Sequence, residues 1–327
     1  MCRLAEWLYE AGIGEARAAL VEDGAIVEVR IERDDEGPLV GAIVSARLVE
    51  SGKVMLDVPG QPLAAIAALP SPISLGTRLI VEITRMALRE RGRDKPARVR
   101  LATEGSSPVA GPDLRARIAA TEFPVVDLRP TDPDRLEEAG WSEVIDHVRA
   151  GYWPFAGGAL WVDTTPAMTL IDIDGEGDAL ALAKAGAAAA AHVIRCCDVG
   201  GSIGIDFPSL RTRAERLAVD ALIDEILPQP FERTATNGFG LLQIIRRRER
   251  PSLIEQVRFD AVATDAALLL RQAERAAGTG VLRLTVRPAV ADHIAAHPAW
   301  THMLQTRTGR PVELIADAAI KGSGHAQ

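Results

Sequence analysis

Two predicted strands near the middle of the chain each end in a carboxylate. Residues 168–174 read MTLIDID and carry Asp172 and Asp174, and residues 200–207 read GGSIGIDF and carry Asp206. Buried apolar strands place their polar side chains at their ends, so two such neighbouring strands can point two carboxylates at one spot. Hard divalent cations such as Mg²⁺ are held in this way, by one or two carboxylates together with substrate phosphates. The pattern therefore predicts a metal site whose ligands are Asp172 and Asp206.

The spacing of these aspartates fits one strand–helix–strand crossover. Asp172 and Asp206 are 34 residues apart, and an alanine-rich stretch of high helix propensity lies between them. Asp174 shares a strand face with Asp172 because strand side chains alternate with a period of two, which makes it the candidate third ligand. One alternative stays open at this point, since an aspartate at a strand end often only caps the turn or helix that follows.

Basic residues are concentrated in two segments of a chain whose formal net charge is −8. Segment 85–100 lies within the predicted small β-barrel, and segment 246–250 ends a predicted strand. Arginine suits phosphate because its planar guanidinium binds two oxygens at once. A solvated strand edge, where charges deter aggregation, explains segment 85–100 equally well. The candidate phosphate-binding residues are Arg85, Arg89, Arg91, Arg93, Lys95, Arg98, Arg246 and Arg248.

Composition narrows the class of protein. Hydrophobic residues make up 47% of the 327 residues and charged residues 25%, as in an ordinary globular protein. The acidic balance argues against a wholly basic nucleic-acid coat, and the absence of a long apolar run argues against a membrane span. The three cysteines form no CxxC motif and cannot make a disulfide framework, and the first residues lack the apolar core of a signal peptide. A cytoplasmic location is the simplest interpretation.

Turn signals divide the chain into five segments. The first contains Asp23-Gly24 between two alternating runs, which predicts a hairpin, and the second contains several short strands, which predict a small β-barrel. A connector rich in proline and glycine follows, with an acidic helix over 134–149. The fourth segment alternates strands and helices, and the last predicts a small α+β unit whose residues 321–327 fray. In chain order the segments are 1–36, 37–101, 102–156, 157–252 and 253–327.

Three blocks of the fourth segment resemble the signature of the ribonuclease E/G family. Residues 157–174, GGALWVDTTPAMTLIDID, are similar to the family pattern GG-x-IVID-x-TEAL-x-x-IDVN. Residues 195–207, RCCDVGGSIGIDF, resemble R-x-x-D-x-GG-x-IVIDF, and residues 239–248, FGLLQIIRRR, resemble FGL-x-E-x-T-R-x-R. The blocks occur in the family order and at the family spacing. The match is strong over 157–252 and weaker elsewhere, where Lys95-Pro96-Ala97-Arg98 resembles a KGAR motif.

The resemblance implies both a fold and an activity. The fold is α/β, with a mixed-sheet catalytic core, an inserted OB-type RNA-binding barrel over 37–101 and a C-terminal α+β appendage. The activity is metal-dependent endoribonuclease cleavage of single-stranded RNA, in RNA processing or turnover, with ribosomal RNA precursors as one substrate class. The resemblance assigns Mg²⁺, or Mn²⁺ in its place, to Asp172 and Asp206, and it puts Asp174 where the family has a supporting asparagine.

The departures from the family pattern narrow this expectation. Residues 102–133 are too short for the family's 5′-end sensor, and its cysteine zinc link is missing, so we expect neither zinc nor a zinc-linked dimer. Met55 and Ile66 stand where the family barrel has base-stacking aromatics, and Gln243 replaces a glutamate. These losses motivate an alternative hypothesis, a non-catalytic RNA-binding or assembly protein on the same scaffold.

Overall fold

The computed structural model describes residues 5–67, 69, 73–90 and 92–327. Arg91 and the first four residues lie outside the described residues, and so does the side chain of Arg93. The described part is a mixed α/β structure with a four-stranded sheet, a closed five-stranded barrel, a six-stranded mixed sheet, a three-stranded sheet and a two-stranded hairpin. The predicted α/β class and the predicted small barrel are therefore confirmed.

The elements are numbered in chain order. The strands are β1 (Ala5–Ala11), β2 (Glu15–Glu22), β3 (Ala25–Arg33), β4 (Ile43–Glu50), β5 (Lys53–Leu56), β6 (Leu63–Ile66), β7 (Arg78–Arg85), β8 (Leu88–Glu90), β9 (Arg93–Lys95), β10 (Ala97–Leu101), β11 (Val125–Leu128), β12 (Tyr152–Phe155), β13 (Gly158–Thr164), β14 (Thr169–Gly175), β15 (Gly201–Asp206), β16 (Glu232–Arg233), β17 (Leu241–Arg246), β18 (Leu282–Val286), β19 (Val312–Ala316) and β20 (His325–Ala326). The helices are α1 (Leu114–Ala119), α2 (Arg135–Glu138), α3 (Trp141–Ala150), α4 (Ala179–Cys196), α5 (Arg213–Ile226), α6 (Leu253–Phe259), α7 (Ala261–Glu274), α8 (Pro288–Ala295) and α9 (Pro298–Thr308).

The first sheet has the strand order β11-β1-β2-β3 and is built on the predicted hairpin. Asp23 and Gly24 have φ angles of 50° and 84°, the left-handed conformation that a two-residue type I′ turn requires at both positions. The hairpin is thus confirmed. Strand β11 pairs in parallel with β1, so the connector returns to this sheet and contains a strand and a helix that its turn-rich sequence did not predict.

The closed barrel has the strand order β10-β6-β5-β4-β7. Its interior is aliphatic, and Val54, Leu56, Val81 and Ile83 are almost fully buried there. The hairpin β8-β9 projects from the barrel and carries part of the predicted basic segment. Residues 37–101 contain no phenylalanine, tryptophan or tyrosine.

The six-stranded sheet has the strand order β12-β13-β14-β15-β17-β16, with β14 and β15 parallel and the other neighbours antiparallel. The strands predicted over 168–173 and 201–206 are confirmed. The strand predicted over 231–236 is shorter than expected, because Thr236 is held by the buried Asp220 carboxylate, with Oγ1–Oδ1 at 2.6 Å, and β16 ends at Arg233. Strand β12 is an edge strand that the sequence did not predict.

Helix α4 covers one face of this sheet and connects β14 to β15. Asp178 caps its first turn by accepting from the Ala181 N–H at 2.9 Å, and its alanine-rich side is buried. A Cβ on Gly186 would lie 2.5 Å from Ile173 Cγ2, so the helix rests directly on β14. In the described part, α4 is also the helix whose length and composition, with a mean hydropathy of 1.3, would suffice to cross a membrane. Half of it is buried inside the protein, which is the property of a core helix.

The structure changes two further expectations. The acidic helix predicted over 134–149 is divided into α2 and α3, because Gly140 between them has a φ of 99° and interrupts the helical path. The expected fraying of residues 321–327 is wrong. Strand β20 pairs with β18, and the main chains of Gln327 and Arg283 exchange hydrogen bonds of 2.8 and 3.0 Å.

The C-terminal α+β elements pack against the N-terminal sheet. Ile13, in the turn between β1 and β2, is buried in the cluster formed by α7, α8, α9 and the three-stranded sheet. Beneath this contact lies a buried ion network. The Glu10 carboxylate accepts from Arg271 at 2.9 Å, from Arg275 at 2.6 Å and from Arg17 at 3.2 Å. These contacts fasten α7 to β1 and β2.

Candidate metal centre

The two predicted metal ligands face each other across the parallel strands of the six-stranded sheet. Asp172 on β14 and Asp206 on β15 are register partners, and neighbouring strands lie about 4.8 Å apart. Both side chains are exposed, whereas Ile171 and Ile205, which point to the other face, are buried beneath α4 and its neighbours. The structure therefore brings these two carboxylates to one spot on the open face of the sheet.

The electrostatics of the pair favour a bound cation. Partial burial, the Asp206 carboxylate and the Asp174 carboxylate all raise the pKa of Asp172 above its ordinary value, with burial the largest cause. Two like charges in one site oppose each other's ionisation, and a cation between them removes that penalty. Asp172 is therefore close enough to Asp206 for the two charges to interact.

Asp174 occupies a different position from the other two aspartates. It pairs with Ala159 on β13 and lies past the last residue of β15, so no residue of that strand is opposite it. Among residues 5–67, 69, 73–90 and 92–327, no group of three or more histidine, cysteine, aspartate or glutamate side chains is arranged to hold a metal ion. The candidate centre brings two carboxylates together, and the metal-binding roles of Asp172, Asp206 and Asp174 stay predictions.

The glycines and the arginine of the second block position β15. Arg195, at the end of α4, donates to Glu22 at 2.8 Å and to Glu28 at 2.9 Å, which fastens the helix to the β2-β3 hairpin. The chain then turns through Asp198 and Gly201, whose φ angles are 50° and 83°. The Arg-x-x-Asp-x-Gly-Gly pattern is thus the turn that returns the chain from α4 into β15.

Several of the predicted phosphate-binding residues are already paired within the protein. Arg89 pairs with Asp260 at 2.5 Å, and Lys95 pairs with Glu90 at 2.5 Å. Arg248 also pairs with Glu90, at 3.2 Å. These residues connect the β8-β9 hairpin to the six-stranded sheet and to α7, and phosphate would have to compete with those carboxylates.

The other predicted basic residues differ in whether their side chains are free to contact phosphate. Arg246 donates to the carbonyl oxygen of Val199 at 3.1 Å, and Arg85 donates to the carbonyl oxygen of Pro96 at 2.6 Å. Partial burial, Arg98 and then Arg248 lower the pKa of Arg85. Arg98 is exposed and has no side-chain partner among the described residues, so it is the predicted residue best placed to meet phosphate.

The basic residues of the third block lie far from the carboxylate pair. Along β15 and β17, Asp206 is opposite Leu241, whereas Gly201 is opposite Arg246. Five residues of strand separate these positions, which is about 17 Å at about 3.3 Å per residue. The structure therefore places the predicted metal ligands at one end of the sheet and Arg246 and Arg248 at the other.

The sequence reasoning missed exposed side chains that are closer to the pair. Trp161 on β13 is the register partner of Asp172, and 52% of its surface is exposed. Its position follows from the alternation of β13, in which Leu160 and Val162 point into the core. That alternation was the signal that could have identified Trp161 as an outward-facing neighbour of the site.

Comparison with known proteins leaves the resemblance as a hypothesis. No protein-family model matches the chain, and no curated protein matches its sequence. The geometry described above is therefore the basis for assigning a function.

Proposed function

We propose that this chain is a metal-dependent endoribonuclease that cleaves single-stranded RNA, and that it is a short member of the ribonuclease E/G family. The observation that carries the proposal is the Asp172–Asp206 pair, two exposed carboxylates that are register partners on adjacent parallel strands. The family blocks supply both strands and the Phe-Gly-Leu-Leu strand beside them, and the alanine-rich helix α4 between the first two blocks makes the crossover. The mixed sheet around the pair supports this combination.

The donor set fits Mg²⁺. Two aspartates offer hard oxygen ligands and leave coordination positions for water and phosphate, which is the usual arrangement for this ion. When bound, the metal supplies an activated water and stabilises the charge that develops on the phosphodiester. Asp172 and Asp206 would hold it, and Asp174 would orient its hydration shell from the same strand face. Mn²⁺ has the same ligand preferences and would serve in its place.

In this proposal the closed barrel is an OB-type module that guides the RNA backbone. Its support is the exposed Arg98 on β10, together with the exposed Arg89 on β8. Phosphate contacts of this kind give affinity without sequence preference and weaken as salt rises. The aliphatic barrel offers no ring for a base to stack on, so we assign it a backbone-binding role only.

The deciding experiment is cleavage of an end-labelled single-stranded RNA by the purified full-length protein, in Mg²⁺ and in EDTA. We expect Mg²⁺-dependent products, and we expect Asp206→Asn to reduce the rate at least about a hundredfold by removing one of two metal ligands. Asp146→Asn is the matched control, because Asp146 is an exposed carboxylate on α3, away from the sheet face. Equal cleavage by Asp206→Asn and the wild-type protein would refute the proposal.

One observation favours a second candidate function. The described residues contain no three-carboxylate or mixed ligand group, and a scaffold with only two acidic ligands would also suit a non-catalytic RNA-binding or assembly protein. The same assay separates the two functions. RNA bound equally in Mg²⁺ and EDTA, with no products in either, would establish the binding protein.

A further inference from the structure

The exposed aromatic side chains of this protein are all in one region. Every phenylalanine, tryptophan and tyrosine lies in the described part of the chain, and three of them are exposed there. These are Tyr152, Trp161 and Phe239, with 37%, 52% and 89% of their surfaces exposed. All three belong to the six-stranded sheet or to the turn that leads into it. An exposed aromatic cluster on an otherwise ordinary surface indicates a binding site.

These aromatic residues flank the carboxylate pair on both sides. On one side, Asp172 is opposite Trp161, and Trp161 is opposite Tyr152. On the other side, Asp206 is opposite Leu241, and Phe239 lies two residues before it. One row across the sheet therefore reads Tyr152, Trp161, Asp172, Asp206 and Leu241, and Phe239 lies in the turn just before Leu241.

The local structure holds both flanking rings outward. Trp161 packs on Tyr152 with ring centroids 4.9 Å apart and planes at 58°, a tilted contact that leaves much of the indole free. Phe239 is presented by a turn in which the Asn237 carboxamide oxygen accepts from the Phe239 N–H at 2.8 Å and from the Leu241 N–H at 3.1 Å. Neither ring belongs to the buried core.

Two unpaired cations lie at the same end of the sheet. Arg211 lies in the segment between Asp206 and α5, Arg213 is the first residue of α5, and both are exposed. Within the described ranges, neither side chain has an ion-pair or hydrogen-bond partner, unlike Arg89, Lys95 and Arg248. They supply positive charge five and seven residues after Asp206 in the chain, which suits a ligand that carries phosphates.

We propose that unpaired bases of single-stranded RNA stack on Trp161 and Phe239, on either side of Asp172 and Asp206, while Arg211 and Arg213 contact the neighbouring phosphates. This inference rests on the proposed function for its ligand. It places base recognition on the catalytic sheet rather than on the aromatic-free barrel. Aromatic stacking accepts any base, since every base has a π-face, so the site selects single strands without reading sequence.

Tryptophan emission reports this contact directly. The other four tryptophans, Trp7, Trp141, Trp153 and Trp300, are at most 8% exposed, so Trp161 is the indole that a ligand in solution can reach. The experiment titrates full-length Asp206→Asn protein, which the proposed function makes inactive, with a ten-nucleotide oligoadenylate. We expect quenching of the long-wavelength emission. In the same background we expect Trp161→Ala to abolish this quenching.

Affinity is measured in parallel by anisotropy of the labelled oligonucleotide. We expect Trp161→Ala and Phe239→Ala each to weaken binding about tenfold, whereas Trp161→Phe keeps most of the affinity because it keeps a ring. Leu217→Ala is the matched control, since Leu217 is 51% exposed on α5. An abasic oligomer of equal length should bind weakly and equally to the parent and to Trp161→Ala.

The outcomes separate this inference from the proposed function. Unchanged affinity in both alanine variants would overturn the inference, even if the wild-type protein cleaves RNA in Mg²⁺. Stacking without any Mg²⁺-dependent cleavage would refute the nuclease and support the inference. The tryptophan emission could instead shift with protein concentration and show no response to the oligonucleotide. That result would show that a second copy of the chain covers this face, and it would also overturn the inference.

Discussion

The residue that defines the site most clearly is Asp172, because its environment is unfavourable without a counter-ion. Burial and the neighbouring carboxylates raise its pKa. A raised pKa means that the folded protein binds a proton more readily than the unfolded chain does. The raised pKa of Asp172 therefore adds to the free energy of unfolding at pH values below the ordinary aspartate pKa of about 3.9. This contribution is lost as the pH rises through the pKa that Asp172 has in the folded protein. At neutral pH the metal-free pair is destabilising.

Neutralising one carboxylate should therefore stabilise the metal-free protein. In EDTA at pH 7, we expect Asp206→Asn to increase the free energy of unfolding by less than about 1 kcal/mol, since the pair is exposed and solvent screens it. Urea denaturation measures this change. Adding Mg²⁺ should raise the urea midpoint of the wild-type protein and leave that of Asp206→Asn nearly unchanged. A variant less stable than wild type in EDTA would contradict this account, and Asp146→Asn is again the control.

At the scale of elements, the position of Asp172 depends on how closely α4 rests on β14. Replacing Gly186 by valine adds a Cβ that would lie 2.5 Å from Ile173 Cγ2 and pushes the helix away from the strand. We expect a loss of about 1–3 kcal/mol in unfolding free energy, the usual cost of overpacking. We also expect weaker Mg²⁺ binding, which calorimetry measures.

The control for this change lies on the same helix. Ala188 is exposed on α4, so Ala188→Val carries the same β-branched side chain without the contact to β14. It should cost less than about 1 kcal/mol. Helix propensity alone would make Gly186→Val slightly stabilising, since valine is a better helix former than glycine, so a gain in stability would contradict the contact account.

The elements that the sequence predicted well are those with strong local signals. Strands β14 and β15 are apolar runs that end in aspartate, and the alanine content of α4 fixes the crossover that makes Asp172 and Asp206 register partners. Strands β11 and β20 are short and pair with strands that are distant in the sequence, whereas β12 is short and pairs with β13, the next strand along the chain. These strands are too short to show the hydrophobic periodicity from which a strand is predicted.

The basic residues illustrate the same limit at the candidate site. The sequence identified the arginines, but Arg248 pairs with Glu90, which is 158 residues away, and no local pattern contains that information. The outward position of Trp161 was implicit in the alternation of β13, yet its place beside Asp172 depends on the register between strands. Side-chain pairing and register are tertiary properties, which explains why the carboxylate pair was predictable and its surroundings were not.

At the scale of the whole molecule, the Glu10 network joins the two ends of the chain. Glu10 is 2% exposed. Burial alone would raise the pKa of Glu10, but Arg17, Arg271 and Arg275 outweigh it and hold the pKa below the ordinary glutamate value. The stability that this carboxylate contributes is thus present at neutral pH and is lost as pH falls through the lowered value.

Removing the charge of Glu10 should leave three guanidinium groups to share only the carboxylates of Glu15 and Asp134. We expect Glu10→Gln to lower the free energy of unfolding by about 3–5 kcal/mol at pH 7, measured by urea denaturation. Glu313→Gln provides the comparison, because the Arg283–Glu313 pair is exposed and should be worth less than about 1 kcal/mol. Similar losses in both variants would show that the network contributes no more than a surface ion pair.

The pairing of β11 with β1 has a consequence for the order in which a growing chain is assembled. Trp7 is the register partner of Val125, whereas the barrel is complete at Leu101. During synthesis from the N-terminus, the outer edge of β1 therefore stays unpaired until the whole barrel has been made. An open edge is a template for pairing with other chains. A chain that has emerged from the ribosome only as far as the barrel therefore contains a hairpin sheet with one unpaired side, which β11 closes only after the barrel has emerged.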